Sequence, residues 1–201
     1  MHQNFLYRGF TDIFKVSIDE ELNNLQKLIY LNTKNYLVKH KDSLTLEEKV
    51  NSRELVKRAT LLEKGDPAPN FKVTLFDGSS IQLSDLEGHP LVINFWASWC
   101  APCRWEMPEF EESWKAHKQE GIRFAGIATK DVEHESRRFA NEVGISYPVG
   151  FDPGGKIALS YGVTVLPTTY FVDPNHRIHR GVTGAANAGA LSIFLRGITP
   201  K

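Results

Sequence analysis

The order of hydrophobic and polar positions along the chain predicts an α/β fold. From about residue 65 onward, short apolar segments are separated by segments with helical periodicity. Residues 91–96, with the sequence LVINFW, are β-branched and aromatic without clean alternation, which is typical of a buried parallel strand. Residues 124–128 predict a second buried strand. Strands that alternate with helices predict a mixed sheet with helices on both faces.

A β-hairpin is predicted ahead of the first buried strand. Residues 71–75 and 81–83 alternate between apolar and polar side chains, and Asp77-Gly78 between them is a turn signal. Further elements are predicted after the second buried strand. They are a helix over residues 131–143, a short strand at 147–149, a helical turn at 157–161, an edge strand at 179–182 and a closing helix at 187–195.

The first 64 residues predict a helical extension. Capping boxes begin at Ser17 and Thr45, and each is followed by apolar residues at helical spacing. Two helices joined by a short polar segment form an αα-hairpin. The predicted organisation is therefore residues 1–64 as a helical hairpin extension and residues 65–201 as the main domain. The apolar stripe of the extension either packs on the main domain or serves homodimerisation or partner docking through residues 17–62.

Charge and hydropathy exclude some classes of partner. The 201 residues contain 24 basic and 24 acidic side chains, so no basic excess indicates nucleic acid or an anionic membrane surface. No apolar window approaches the roughly 18 residues that a transmembrane helix needs. The first residues lack the basic-then-apolar order of a signal peptide. As written, the chain is expected to be cytoplasmic; a preceding targeting segment would instead make it periplasmic or otherwise extracytoplasmic.

Candidate chemistry lies directly after the first buried strand, in the motif Cys100-Ala-Pro-Cys103. A helix predicted to run to about residue 120 begins here, and a cysteine at a helix N-terminus favours the thiolate, the nucleophile of disulfide exchange. A structural zinc site needs about four ligands, and the chain holds two cysteines. A structural disulfide closing so short a loop would remove little chain entropy. The motif therefore predicts redox chemistry, with no cofactor and no bound metal.

The segment FWASWCAPCRWEMP resembles the active site of the TlpA/ResA/CcmG-like thioredoxin-fold thiol-disulfide oxidoreductases, in the AhpC/TSA-Redoxin branch. The motif elements are the W-C-x-P-C-R core, Glu106 three residues after the second cysteine, and Pro108. The resemblance extends over about residues 65–198. It implies a thioredoxin-like fold with an N-terminal β-hairpin and a β-α insertion. It also implies that Pro167 is a cis-proline that faces the cysteine pair.

The resemblance also implies roles for the motif residues. Cys100 would be the attacking thiolate, Cys103 the resolving cysteine, and the two would form the redox-active disulfide. Trp99 would flank the sulfur and shape the partner surface; the alternative is a half-buried aromatic, and the two interpretations are compatible. Pro167 would present neighbouring backbone to a bound peptide in a strand-like manner.

Two polar positions concern proton transfer. Asn94 occupies the strand position at which simple thioredoxins carry a buried acid. Glu106, one turn beyond Cys103, is the candidate replacement as acid–base group. The alternative is that Glu106 is a plain glutamate on the helix surface.

The predicted function is thiol-disulfide exchange with protein partners, in the direction of a reductase. The partners would be protein disulfides, for which the resemblance suggests apocytochrome or other exported proteins, and an upstream thiol donor. Two alternatives are a peroxiredoxin-like peroxidase, whose P-x-x-x-T-x-x-C loop is absent, and a copper-binding thiol carrier, which would normally add a histidine close to the cysteines. The two residues between the cysteines do not fix the reduction potential.

Overall fold

A computed structural model describes residues 61–199 of the chain. In this range the strands are β1 (Lys72–Leu75), β2 (Ser80–Gln82), β3 (Leu91–Trp96), β4 (Arg123–Thr129), β5 (Val149–Asp152), β6 (Thr168–Val172) and β7 (Ile178–Thr183). The α-helices are α1 (Ala101–His117), α2 (Glu133–Val143), α3 (Lys156–Ser160) and α4 (Ala188–Ile198). Two 3₁₀ turns cover Leu83–Leu86 and Lys118–Glu120.

The strands form one mixed sheet in the order β2-β1-β5-β4-β3-β6-β7. Strand β4 pairs in parallel with β3 and with β5, whereas β1–β2, β1–β5, β3–β6 and β6–β7 are antiparallel. The interior strand β3 is buried at all six positions, which explains its continuous apolar sequence. This architecture confirms the predicted thioredoxin-like α/β fold.

The N-terminal β-hairpin and the β-α insertion that the resemblance implied are both present. The hairpin β1–β2 turns at Asp77-Gly78, where Gly78 has φ of 88°. The β-α insertion consists of β5 and α3, and β5 joins the sheet between β4 and β1. Strand β5 begins at Val149 rather than at 147, because Pro148 has no N–H to donate to a neighbouring strand.

The helix that carries the motif ends close to the predicted position. The α-helix α1 stops at His117, the 3₁₀ turn continues to Glu120, and Gly121 then adopts φ of 82°, which a glycine allows without strain. None of the helices in the described range is long and apolar enough to span a membrane.

The predicted helical hairpin lies outside the described residues. The domain division at residue 64 and the role of residues 17–62 in dimerisation or docking therefore stay predictions. Where the description begins, Leu61 and Leu62 are partly buried against the core of the sheet domain. The backbone N–H of Leu62 also donates to the hydroxyl of Tyr170 at 3.3 Å.

Candidate active site

The cysteine pair lies where β3 passes into α1. Cys100 is the N-cap of α1 with an extended backbone, and Pro102 occupies the first turn, where its missing N–H costs nothing. Cys100 and Cys103 are joined by a disulfide with an S–S distance of 2.05 Å. The sulfur of Cys100 accepts the backbone N–H of Cys103 at 3.3 Å. A thiolate at this atom would receive the same hydrogen bond and the favourable end of the helix dipole.

Glu106 is buried, with only 1% of its surface exposed. The alternative of a plain surface glutamate is therefore wrong: this side chain lies on the inner face of α1, like Cys103 and Met107. Its carboxylate accepts the side-chain amide of Asn94 at 2.7 Å and the backbone N–H of Ala186 at 3.0 Å. Burial raises the pKa of Glu106 to about 7, although these two hydrogen bonds work in the opposite direction.

Asn94 connects this carboxylate to the middle of the sheet. It lies opposite Thr169 of β6 and Gly126 of β4 in the strand register. Its Nδ2 donates both to Glu106 and to the hydroxyl of Thr169, the latter at 3.0 Å. The site thus contains a buried acid, but the acid is supplied by the helix, and the strand supplies the amide that orients it.

Trp99 is 63% exposed, which excludes the interpretation as a half-buried structural aromatic. Its indole N–H donates to the backbone carbonyl of Lys130 at 3.0 Å, so the ring is held at one edge while most of the side chain stays exposed. An exposed, oriented aromatic side chain next to a reactive sulfur can contact a protein partner.

The Leu166–Pro167 peptide bond is cis, in agreement with the expectation from the resemblance. Leu166 packs against the apolar cluster that contains both cysteines. The carbonyl of Pro167 accepts the backbone N–H of Gly184 at 2.9 Å. The proline carbonyl is therefore already used within the fold.

Asp131 is a site residue that the sequence reasoning missed. It follows β4, and its carboxylate accepts the backbone N–H of Ser98 at 2.6 Å and the hydroxyl of Ser98 at 2.9 Å. Burial raises its pKa, but hydrogen bonds from Ser136, Ser98 and Val132 together lower it below the ordinary value. An aspartate two residues before a helix can accept hydrogen bonds from the helix start, which could have indicated its contact with α2 but not the contact with Ser98.

The chain combines a disulfide at the start of a helix, a buried carboxyl group on the same helix, and a cis-proline whose preceding residue packs on the cysteine cluster. On a mixed sheet of this order, these features define a thiol-disulfide oxidoreductase with the thioredoxin fold. The sequence profile of the AhpC/TSA family matches residues 64–180. The chain belongs to this family.

Relatives and solved structures support the same class. The thiol-disulfide oxidoreductase ResA of Bacillus thuringiensis (strain Al Hakam) is 34% identical over 139 residues, which cover 69% of this chain and 80% of the relative. ResA of Bacillus subtilis is 30% identical over 139 residues, with 69% and 78% covered. The crystal structure of a thiol:disulfide interchange protein of the thioredoxin family from Chlorobium tepidum is similar with a TM-score of 0.62 and 26% identity, covering 69% of this chain and 99% of that one.

Proposed function

We propose that the chain reduces disulfides of client proteins, with Cys100 as the nucleophile and Cys103 as the resolving cysteine. The Cys100 thiolate attacks one sulfur of the client disulfide, the client S–S bond breaks, and the first client thiolate leaves. Cys103 then loses its proton and attacks the sulfur of Cys100, and the second client thiolate leaves. The client gains two electrons and the Cys100–Cys103 pair loses two. An upstream dithiol donor returns them to the pair.

The observation that carries this proposal is the position of Glu106 relative to the cysteines. Glu106 follows Cys103 by three residues on α1, and residues at this spacing lie on the same face of a helix. The carboxyl group is buried and its pKa is about 7, so near neutral pH it exists in both protonation states. This is the range in which a general base works best at neutral pH. Glu106 is thus suited to accept the proton of Cys103.

Client contact would involve the exposed groups around the disulfide. Trp99 lies next to Cys100 in sequence and is exposed, and Leu166 packs on the cluster that includes both cysteines. A client segment that runs past the Leu166–Pro167 bond would bring its disulfide to the sulfur of Cys100. Nothing in these contacts requires one particular client, so an unrelated disulfide protein is a suitable first substrate.

Insulin reduction with dithiothreitol as donor tests the proposal. The protein should accelerate insulin precipitation, and Cys100→Ser should abolish the acceleration. With a client disulfide, Cys103→Ala should accumulate a mixed disulfide at Cys100, because the resolving step is lost. Cys100→Ala should accumulate none; equal trapping by the two variants would contradict the division of roles.

A parallel copper(I) titration of the reduced protein tests the carrier alternative. Tight stoichiometric copper binding without insulin reduction would favour the carrier. A hydrogen peroxide consumption assay tests the peroxidase alternative in the same way. We expect reduction of insulin without either of these activities.

A further inference from the structure

We propose that Asp131 is a positioning residue that holds the segment before Cys100 in place and thereby keeps the nucleophilic sulfur at the start of α1. The inference rests on the proposed function, because it takes Cys100 as the nucleophile. Asp131 belongs to the loop between β4 and α2, and it is 33 residues away from Ser98 in sequence. The contact between them is therefore a tertiary one.

The carboxylate of Asp131 accepts four hydrogen bonds, two from each side. On the active-site side, Ser98 donates its backbone N–H to Oδ2 at 2.6 Å and its hydroxyl to Oδ1 at 2.9 Å. On the helix side, the backbone N–H of Val132 donates to Oδ1 at 2.8 Å, and the hydroxyl of Ser136 donates to Oδ2 at 2.6 Å. Oδ2 thus joins the active-site segment to Ser136 in the first turn of α2, and Oδ1 joins it to Val132, the residue that caps this helix.

The segment held in this way leads directly into the nucleophile. Ser98 lies inside the turn in which the backbone N–H of Cys100 donates to the carbonyl of Ala97 at 3.1 Å. A second attachment supports the first, because the indole N–H of Trp99 donates to the carbonyl of Lys130. Residues 98 and 99 are therefore both fixed to the β4–α2 loop. Their position decides where the sulfur of Cys100 lies relative to the N–H of Cys103.

When Asp131 is neutralised, a positioning role and a purely electrostatic role predict opposite changes in the pKa of the Cys100 thiol. A negative charge near a thiol disfavours the thiolate, so neutralising Asp131 would lower the Cys100 pKa if charge alone mattered. If Asp131 acts by position, the loss of its hydrogen bonds releases the sulfur from the helix N-terminus and raises that pKa. An amide at position 131 keeps the shape but offers one acceptor oxygen in place of two. Asp131→Asn therefore separates the two effects.

The other charged groups around this segment stay unchanged in the variant. Arg104 of α1 lines a surface pocket beside Ser98 and Trp99, together with three charged residues of α2. These side chains pair with one another: Arg104 contacts Glu142 at 3.6 Å, and Arg138 contacts Glu142 at 3.5 Å as well as Glu135. The nearby Lys130 is exposed. A change in the Cys100 pKa can thus be assigned to position 131.

Asp152 provides a matched control. It is the last residue of the neighbouring strand β5 and stabilises the start of α3, since its carboxylate accepts the backbone N–H groups of Ile157 at 3.1 Å and Ala158 at 3.0 Å. It also accepts the hydroxyl of Thr129 at 3.2 Å. Its hydrogen bonds to side chains and backbone go to β4 and α3 and not to the segment before Cys100. Asp152→Asn should therefore lower stability without moving the pKa of Cys100.

The experiment measures the alkylation rate of the reduced full-length protein against pH, with peptide mass spectrometry to identify the labelled cysteine. In Asp131→Asn we expect the Cys100 pKa to rise by about one unit, with alkylation below that pKa about tenfold slower. Ser98→Ala removes one of the four hydrogen bonds and should shift the pKa in the same direction by less. It also keeps the proposal testable if Asp131→Asn does not fold.

Each outcome has a distinct meaning. A Cys100 pKa that is lowered or unchanged in Asp131→Asn overturns the positioning role, as does an equal rise in Asp152→Asn. Faster labelling of Cys103 than of Cys100 in the unchanged protein would instead contradict the proposed function. The two hypotheses can therefore fail separately.

Discussion

The side-chain amide of Asn94 donates a hydrogen bond of 2.7 Å to the carboxylate of Glu106, and both residues are 1% exposed. The same amide nitrogen donates to the hydroxyl of Thr169, whereas its own carbonyl oxygen has no partner within the described residues. The neutral amide of a central strand thus orients an acid that comes from the helix. This arrangement lets the acid be buried without a second charge beside it, and its pKa rises accordingly.

We predict that Glu106 makes the stability of the oxidised protein depend on pH. Its pKa is about 7 in the folded state, against 4.5 for the ordinary group. Between these values the native state binds more protons than the unfolded state, so the free energy of unfolding falls as pH rises. The loss is complete above about pH 7 and amounts to about 3 kcal/mol. In urea unfolding between about pH 4.5 and pH 8, the free energy of unfolding of Glu106→Gln should lack this fall with rising pH.

Glu106→Gln can keep the hydrogen bonds of the original side chain, so the comparison with the unchanged protein tests the titratable proton alone. A glutamine at position 106 can still accept the N–H of Ala186, and its amide can donate to Asn94 once the latter turns its carbonyl oxygen inward. Glu109→Gln is the control, because Glu109 is exposed on the same helix. The pH profile of this control should match the unchanged protein. If the free energy of unfolding of Glu106→Gln falls with pH as steeply as that of the unchanged protein, the Glu106 carboxyl group does not cause the pH dependence.

We predict that Gly126→Ala destabilises the domain by about 1–3 kcal/mol through overpacking. An added Cβ would lie 2.7 Å from Cγ1 of Val149, 3.0 Å from Cε2 of Tyr147 and 3.1 Å from Nε1 of Trp96. Tyr147 and Trp96 are buried, so neither can move without disturbing the layer above β4. Thermal and urea unfolding of the oxidised protein would measure the loss.

Gly189→Ala is the matched control for this substitution. Gly189 lies in α4, and its added Cβ would have Oδ1 of Asn187 as its nearest neighbour, at 3.4 Å. Alanine is favoured over glycine in a helix by up to about 1 kcal/mol. We therefore expect an unchanged or slightly higher stability. A loss as large as that of Gly126→Ala would contradict the overpacking explanation.

Local sequence was sufficient for the elements and the cysteine pair, because their signals lie within a few residues. The run from 91 to 96 predicts a buried strand, and the spacing of Cys100 and Cys103 predicts a redox motif at its end. The burial of Glu106 was also encoded locally: Cys103, Met107 and Phe110 define an inner stripe on α1 that includes position 106.

Contacts between distant segments could not be read in this way. Glu106 accepts a hydrogen bond from the backbone N–H of Ala186, 80 residues away in sequence. The hydrogen bonds between Ser98 and Asp131 join residues 33 positions apart. Such pairs follow from how helices and loops pack on the sheet, and neither residue type signals its partner. The sequence therefore indicates the face of α1 on which Glu106 lies, but not the groups that Glu106 and Asp131 contact.

The remaining prediction concerns the rate at which the mixed disulfide is resolved. A cysteine thiol with a pKa near 8.5 is mostly protonated at neutral pH and attacks slowly, whereas a base with a pKa of about 7 can take its proton. Proton transfer of this kind contributes about 10²–10⁴-fold, so Glu106→Gln should slow resolution at neutral pH by about 10²-fold or more. The first attack by Cys100 should change much less, since its thiolate is stabilised by the helix N-terminus.

The pH profile distinguishes this role from a structural one. With Glu106 present, the resolution rate should rise as pH passes about 7, because the carboxylate form is the base. In Glu106→Gln the rise should move toward the thiol pKa of about 8.5, so that the two proteins converge at high pH. Stopped-flow tryptophan fluorescence with a disulfide peptide measures both steps, and Glu109→Gln again serves as the control on the exposed side of α1. If resolution in the Glu106 variant follows the unchanged protein at every pH, the buried carboxyl group is structural and Cys103 loses its proton by another route.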